Sequence, residues 1–408
     1  MRTRLFYAFH FLRSFVLIYP IYLLLFEAKG LALPQISLLL AVWSAPVVIL
    51  ELPTGILADH WSRKNMLVLG TLIHGACYGL WFFAEGFLLF ALGFVLWGIG
   101  EAITSGSGEA LLYDSLKSKG QEDDFDRVYG RCRYYASLGV GLAMLLGGFM
   151  ASAFGMRTVL ALSVLSLSIS AVLASRLPEV NLYKQNSKED GMAAAGAEGG
   201  AMRKALATLT DAARFLAGKR LLTVVVLLFI LVIGTAGMLD EYDQMIVHSF
   251  GLSMGLVGVW GFLRCLLEAA GSRAAYRVKA LLFRLGVKDP FYAVWLLCVL
   301  AGASAALAGW AARAAFAPVY VLFYFLMSIA GVLAEDYLQQ RIEEQGRSTV
   351  HSIVSLLMNL YGVAFFGLFA FVFAGLPVFD ILLYTSVYIL GVCLLLAVLY
   401  SLLKTRKE

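Results

Sequence analysis

Gly55-Ile56-Leu57-Ala58-Asp59-His60-Trp61-Ser62-Arg63-Lys64-Asn65-Met66-Leu67 is a short polar knot between two long apolar runs, and the fold turns on how it is read. One run begins near residue 34 and ends at Asp59; the other opens at Arg63 and Lys64 and continues to about residue 85. Each is long enough for a helix that crosses a bilayer, which takes about 20 mostly apolar residues. Outward from this loop the same pattern recurs. Apolar runs lie near 5–26, 34–58, 66–85, 87–112, 132–154, 157–176, 221–244, 254–275, 290–311, 318–337, 351–374 and 379–402. No run alternates at period two, and each can satisfy its own backbone in hydrocarbon only as a helix. The expectation is an all-α membrane protein with twelve transmembrane helices. The composition agrees: of 408 residues 61% are hydrophobic and 14% charged, against about 25% charged in a soluble domain. A large extramembrane catalytic domain is excluded. Cys77, Cys132, Cys265, Cys298 and Cys393 sit in apolar runs without CxxC spacing and read as packing residues.

The net charge of +5 says less than the placement of the charges. With the N-terminus inside, only Lys29, Arg157 and Arg313 of the 32 Lys and Arg fall outside, and Arg13 and Arg264 lie within spans. This bias predicts that both termini face the cytoplasm. Met1-Arg2-Thr3-Arg4 and the apolar residues after it look like a signal peptide, but Arg13 interrupts the stretch and no small-residue cleavage site follows, so a retained first span is expected. The longest connection, Leu177 to Arg220, divides six spans from six. Its middle, Asn186 to Gly200, reads as a linker. Residues 201–216 read as a basic amphipathic helix on the anionic membrane surface, a tether or, alternatively, a regulatory arm. The predicted organisation is a six-helix bundle over 1–176, a linker over 177–220 and a second bundle over 221–408.

The loop resembles the signature loop of the major facilitator superfamily, Gly-x-Leu-Ala-Asp-Arg-x-Gly-Arg-Lys-x-x-Leu, in the same inter-span position. Gly55, Asp59, Arg63 and Lys64 fit, while His60 replaces the usual Arg and Ser62 the usual Gly. The resemblance implies two six-helix bundles, alternating access, a monomer, and a cytoplasmic gate in which Asp59 clasps Arg63 and Lys64. Glu51-Leu52-Pro53-Thr54-Gly55 and Ser107-Gly108-Glu109-Ala110-Leu111-Leu112-Tyr113-Asp114-Ser115-Leu116 are similar to a bacterial branch of small-molecule exporters. Two departures stand out. Phe94 occupies the place of the span-4 Arg of proton-driven drug antiporters, and Ala143 and Met144 replace the Gly and Pro of their span-5 motif.

A charge at the centre of a span costs about 2.5–3.5 kcal/mol, so each one calls for a partner and a role. Arg264 and Glu268 are spaced to pair on one helix face. Arg13 has no acidic neighbour at helical spacing, and Glu51 or Glu101 is its expected partner; the superfamily's arrangement around a cavity favours Glu101. Glu101, Ser105 and Glu109 recur every four residues and are expected on one face, with Glu101 as a proton carrier. Asp240 and Asp243 lie near the outer end of span 7, either solvated or lining a vestibule. Tyr320, Tyr324, Ser328, Gly331 and Glu335 form a polar aromatic stripe in span 10, packing or ligand-stacking. His351, Ser355 and Asn359 share a face in span 11, and His10 and His74 are isolated; none of these is assigned a role.

No phosphate loop of the GxxxxGK[ST] type is present, which disfavours a primary pump, and no HExxH or GxSxG motif or paired His or Cys ligands indicate an enzyme, a metal or a cofactor. Spans, signature loop and intramembrane charges together predict a multi-pass transporter of a bacterial plasma membrane. Its expected partners are a small-molecule substrate, protons and lipids, not nucleic acid. The acid excess points to amphipathic or cationic compounds, and the resemblance to an exporter branch implies that they are moved outward, with the proton gradient as the expected energy source. The alternatives are uptake of an organic anion gripped by Arg13 and Arg264, and a non-transporting sensor on a transporter fold.

Overall fold

The computed structural model describes residues 3–180, 219–341 and 347–405. The predicted linker at 186–200 and the amphipathic stretch at 201–216 lie outside them. Every regular element among the described residues is helical. Ten segments are long and apolar enough to cross a bilayer, and the shorter apolar stretches Leu33–Val47 and Leu357–Val372 occupy the places of spans 2 and 11. The twelve-helix reading therefore holds. The chain divides into two compact units, Met1–Glu198 with Met254–Val259, and Gly199–Ser253 with Trp260–Glu408.

In the first unit, span 1 is two helices, α1 (Thr3–Ser14) and α2 (Tyr22–Ala28), separated by an irregular stretch and the 3-10 turn Tyr19–Ile21. Pro20 has no N–H to continue a helical ladder, so an α-helix through it is disfavoured. The backbone polar groups near such a break must find other partners in hydrocarbon. A stripe of serines supplies them. Ser163 Oγ accepts from Ile18 N at 3.1 Å, and Ser166 and Ser170 donate to the Leu12 and Phe9 carbonyls. All three stand on α8 (Met156–Ser175), the last span of this unit.

Spans 2 and 3 are α3 (Leu33–His60), which carries Pro46 and Pro53, and α4 (Arg63–Phe83), capped by Ser62, whose hydroxyl accepts from Asn65 N. Span 4 is interrupted like span 1. Helix α5 (Phe87–Thr104) ends before Ser105, and α6 (Ser107–Lys117) starts after Gly106, whose φ of +69° is a conformation most side chains avoid. Gly70 and Gly100 let α4 and α5 touch, since a Cβ on either would stand under 3 Å from the other's carbonyl oxygen. Span 5 is α7 (Phe125–Phe154), which starts earlier than its apolar run because its first turns are polar.

In the second unit, span 7 is again broken. It runs as α9 (Arg220–Leu228), a π-helical turn Phe229–Ile233, α10 (Gly234–Leu239), a 3-10 turn Asp240–Tyr242 and α11 (Asp243–Ser249). The regular helices α12 (Met254–Arg284), α13 (Pro290–Ala311) and α14 (Ala317–Arg341) follow. Span 11 is α15 (Arg347–Gly367) continued by a second π-helical turn, Leu368–Val372, and α16 (Val378–Thr405) closes the unit. Asp289 caps α13 through Phe291 N and also holds Lys404 Nζ at 2.7 Å, which ties the end of α16 to the start of α13.

Candidate functional site

The breaks in spans 1 and 4 meet. Arg13 stands in the last turn of α1, where a cation suits the helix C-terminus. Its Nη2 donates to Thr104 Oγ1 at 2.5 Å, and Glu101 Oε2 lies 4.0 Å away. Thr104 closes α5 and can itself donate to the Gly100 carbonyl at 3.0 Å. Arg13 and Glu101 edge a cavity of about 270 Å³ whose lining includes Tyr19, Trp43, His74, Tyr78 and Trp97. The rings are in mutual contact. His74 stacks on Trp97 with centroids 5.0 Å apart, and Tyr78, Trp43 and Tyr19 pack around the same indole at 5.7, 5.9 and 6.1 Å. Three lining side chains keep a buried polar atom with no protein partner: Arg13 Nε, Trp43 Nε1 and His74 Nδ1.

The second unit gathers charge more tightly. The guanidinium of Arg264, in α12, places Nη1 2.6 Å from Asp243 Oδ2, Nη2 3.4 Å from Asp240 Oδ2, and Nε 3.8 Å from Glu268 Oε1. The irregular turns of span 7 bring both aspartates to it. Asp243 Oδ1 accepts from the hydroxyls of Tyr320 and Tyr324, the latter at 2.8 Å, one helical turn apart on α14. The Tyr324 ring lies 4.9 Å beneath the guanidinium carbon, and Trp260 stacks on Tyr320 at 5.1 Å. Tyr320, Tyr324, Asp243 and Arg264 are all buried. Asp240 and Glu268 are the more open members, with side chains 27% and 36% exposed.

The predicted site residues sort accordingly. Arg13 and Glu101 come together, as do Asp240, Asp243, Arg264, Glu268, Tyr320 and Tyr324. The outer-end acids are not simply solvated, since Asp243 is buried against Arg264. Glu268 is a partner of Arg264, but the distant one. The common face of Glu101, Ser105 and Glu109 does not survive the break at Gly106. Ser105 is an exposed helix end, and Glu109, on α6, is exposed and accepts from the Tyr129 hydroxyl. Ser328 donates to the Phe325 carbonyl, and Glu335 is half-buried near the end of α14, next in sequence to Asp336, which pairs with Lys279. Gly55 is part of α3, and the side chains of Glu51 and Asp59 there, and of His351 and Ser355, are not among those described.

At the gate loop, Arg63 is buried and bonds Asp114 Oδ2 at 2.5 Å, at the end of α6, while Lys64 is half-buried. Sequence reasoning reaches Asp114 only within the exporter-like stretch Ser107–Leu116 and does not single out Thr104, Trp43, Trp97 or Trp260. Thr104 lies one turn beyond Glu101, the signal by which it was open to recognition. Among the described residues no group of three or more His, Cys, Asp or Glu is placed to hold a metal ion.

Interrupted helices that expose buried charge within helical membrane units define a secondary-transporter architecture. The chain belongs to the Major Facilitator Superfamily, whose sequence pattern matches residues 5–366. Solved structures share the fold at low identity. A variant of the nucleoside transporter NupG has a TM-score of 0.76 at 14% identity, over 97% of this chain and 99% of that one. The D-xylose-proton symporter scores 0.65 at 11% identity, over 97% and 96%. The POT family transporter PepTSo scores 0.69 at 13% identity, over 100% and 98%. No curated protein sequence matches the chain. Family and fold together indicate a multi-pass membrane transporter and not an enzyme.

Proposed function

We propose that the protein is a proton-coupled secondary transporter that exports a small amphipathic or cationic organic solute by alternating access. In this reading it is a monomer in a bacterial plasma membrane with both termini in the cytoplasm, and 177–220 joins its two bundles. The observation that carries the proposal is the charge inventory around Arg264, three carboxylates against one guanidinium. Uncompensated buried charge is costly, so such a cluster is a place to take up and release protons, and Asp240 and Glu268 give it contact with water. Glu101, half-exposed beside Arg13, is a second proton site in the solute cavity. The likeness of Glu51–Gly55 and Ser107–Leu116 to exporters supports the outward direction.

One observation favours a second reading, uptake of an organic anion: the Nε of Arg13 has no partner and its side chain lines the cavity. Proteoliposomes with an internal pH dye test both readings, with ethidium and 2-naphthoate as probes. Gradient-driven flux of ethidium against protons is expected, reduced at least about tenfold in Asp243→Asn, with solute exchange at equal pH retained. Proton movement that accompanies 2-naphthoate inward would favour the second reading. Flux indifferent to the gradient in the parent protein and in both Asp243→Asn and Glu101→Gln would end the proton-coupled proposal.

A further inference from the structure

We propose that the cavity of the first unit is built for a planar aromatic solute bearing hydrogen-bond acceptors, such as an aromatic carboxylate or carboxamide, and discriminates against cations that lack acceptors. This rests on the alternating-access transport reading above, but on the solute it sides with the second reading, an organic anion, against a cation that lacks acceptors. The volume of about 270 Å³ lies just below the usual range of ligand pockets, roughly 300–1,000 Å³, and suits one or two fused rings. The walls are ring faces and edges, with Trp97 at their centre and His74 stacked on it. A flat solute extends that stack, since offset and edge-to-face aromatic contacts are favourable.

The polar inventory selects the acceptors. Arg13 Nε and Trp43 Nε1 are donors and nothing else, and neither has a protein partner. His74 is 7% exposed; its Nε2 lies 3.0 Å from the Tyr78 hydroxyl, and when that hydroxyl donates, the unpartnered Nδ1 carries the hydrogen. Two fixed donors and one conditional donor thus belong to side chains that line one cavity, each atom itself covered until its side chain shifts to meet a solute. Glu101 is the acid at hand, but it approaches only Arg13 Nη2, at 4.0 Å. A quaternary ammonium ion would stack on the indoles yet leave every one of these donors unmet, whereas a carboxylate or amide oxygen on the ring meets them. Buried donors left unpaired are what lets a polar site reject an analogue that lacks the matching group.

The test is equilibrium binding to the full-length purified protein in nanodiscs, by calorimetry and tryptophan quenching. The probes are 2-naphthoate, 2-naphthyltrimethylammonium and octanoate. Binding of 2-naphthoate at least about tenfold tighter than either of the others is expected. Trp43→Phe keeps a ring and removes the N–H; it should weaken 2-naphthoate about tenfold and leave the ammonium compound unchanged. Arg13→Lys keeps the charge and removes Nε, and serves as the second variant should Trp43→Phe fold poorly. Equal or tighter binding of the ammonium compound or of octanoate, no binding of 2-naphthoate, or undiminished affinity in the folded variants would overturn the inference. Preferential binding without flux would instead remove the transport reading and leave the cavity's preference standing. Proton-coupled flux of ethidium with no preference for 2-naphthoate would do the reverse.

Discussion

Arg13 and Arg264 are the same side chain, each within a span of its own unit, and the protein treats them in opposite ways. Around Arg264 stand three carboxylates and a tyrosine ring, and two phenols hold the nearest carboxylate in place. Around Arg13 stand one threonine hydroxyl and one carboxylate at 4.0 Å; the Nε of each arginine lacks a hydrogen bond, but that of Arg264 has a carboxylate oxygen 3.8 Å away. An over-compensated cation is held in place by its partners, and in the proposed coupling what varies around it would be their proton count. An under-compensated cation at the edge of a cavity retains binding capacity for a solute. Under the proposed function, coupling would therefore fall to the second unit and recognition to the first.

The largest effect that would break this comparison comes from removing the fixed cation. Arg264→Leu strands three carboxylates with no counter-charge, and loss of one partner of a buried pair costs about 3–5 kcal/mol. The variant should show a strongly lowered melting midpoint and poor recovery as a monodisperse peak; a midpoint near that of the parent would show that the cluster is not held by its guanidinium. Tyr324→Phe sharpens the point. It keeps the ring under Arg264 and deletes one donor to Asp243, so a loss of about 1.5–3 kcal/mol, appropriate to a hydrogen bond to a charged group, is expected in denaturant unfolding. Arg13→Gln should cost less, about 1 kcal/mol, because its partners are a single hydroxyl and a half-exposed carboxylate. If Arg13→Gln destabilised the protein as much as Arg264→Leu, Arg13 would be a structural residue and the division of labour would fall.

What the sequence could reveal follows from how local each feature is. The spans were legible because bilayer crossing imposes a minimum apolar length, and the gate loop because its residues are consecutive. Arg264 with Glu268 was legible at i,i+4, yet the nearest partner is Asp243, on another helix and 21 residues away. The pairing of Arg63 with Asp114 spans 51 residues and was hidden for the same reason. Periodicity misled at Glu101, Ser105 and Glu109 because it assumes an unbroken helix, and Gly106 breaks it. Gly106 itself was visible, but among 39 glycines nothing local marked it as one of the six described glycines with positive φ, or as the one that interrupts span 4. Pro20 is a local signal for the break in span 1 that a reading of uninterrupted apolar length passes over, whereas the serine stripe on α8 that compensates it is non-local. The aromatic cavity was invisible for a related reason: Trp43, His74 and Trp97 come from three different spans and gain meaning only when those spans pack.

The smallest effect lies outside the spans and sets the scale for the others. Glu85, in the connection between α4 and α5, accepts from Lys29 Nζ at 2.6 Å and from Arg157 Nη2 at 3.4 Å, and all three side chains reach solvent. The hydrogen bond and charge of Lys29, with help from Arg157, hold its carboxyl below the usual carboxylate range. A carboxyl whose folded-state value is depressed stabilises the fold above its unfolded value, and that contribution disappears as the pH falls through the folded value. Glu85→Gln should therefore lower the melting midpoint by about one degree or less at pH 7, and the gap should close on acidification below about pH 4. High salt should close it as well, because exposed pairs are screened. The buried cluster around Arg264 should ignore salt, so a Glu85→Gln deficit that persisted in acid and in 1 M salt, on the order of that from Tyr324→Phe, would mean that exposure does not separate weak charge contacts from strong ones in this protein.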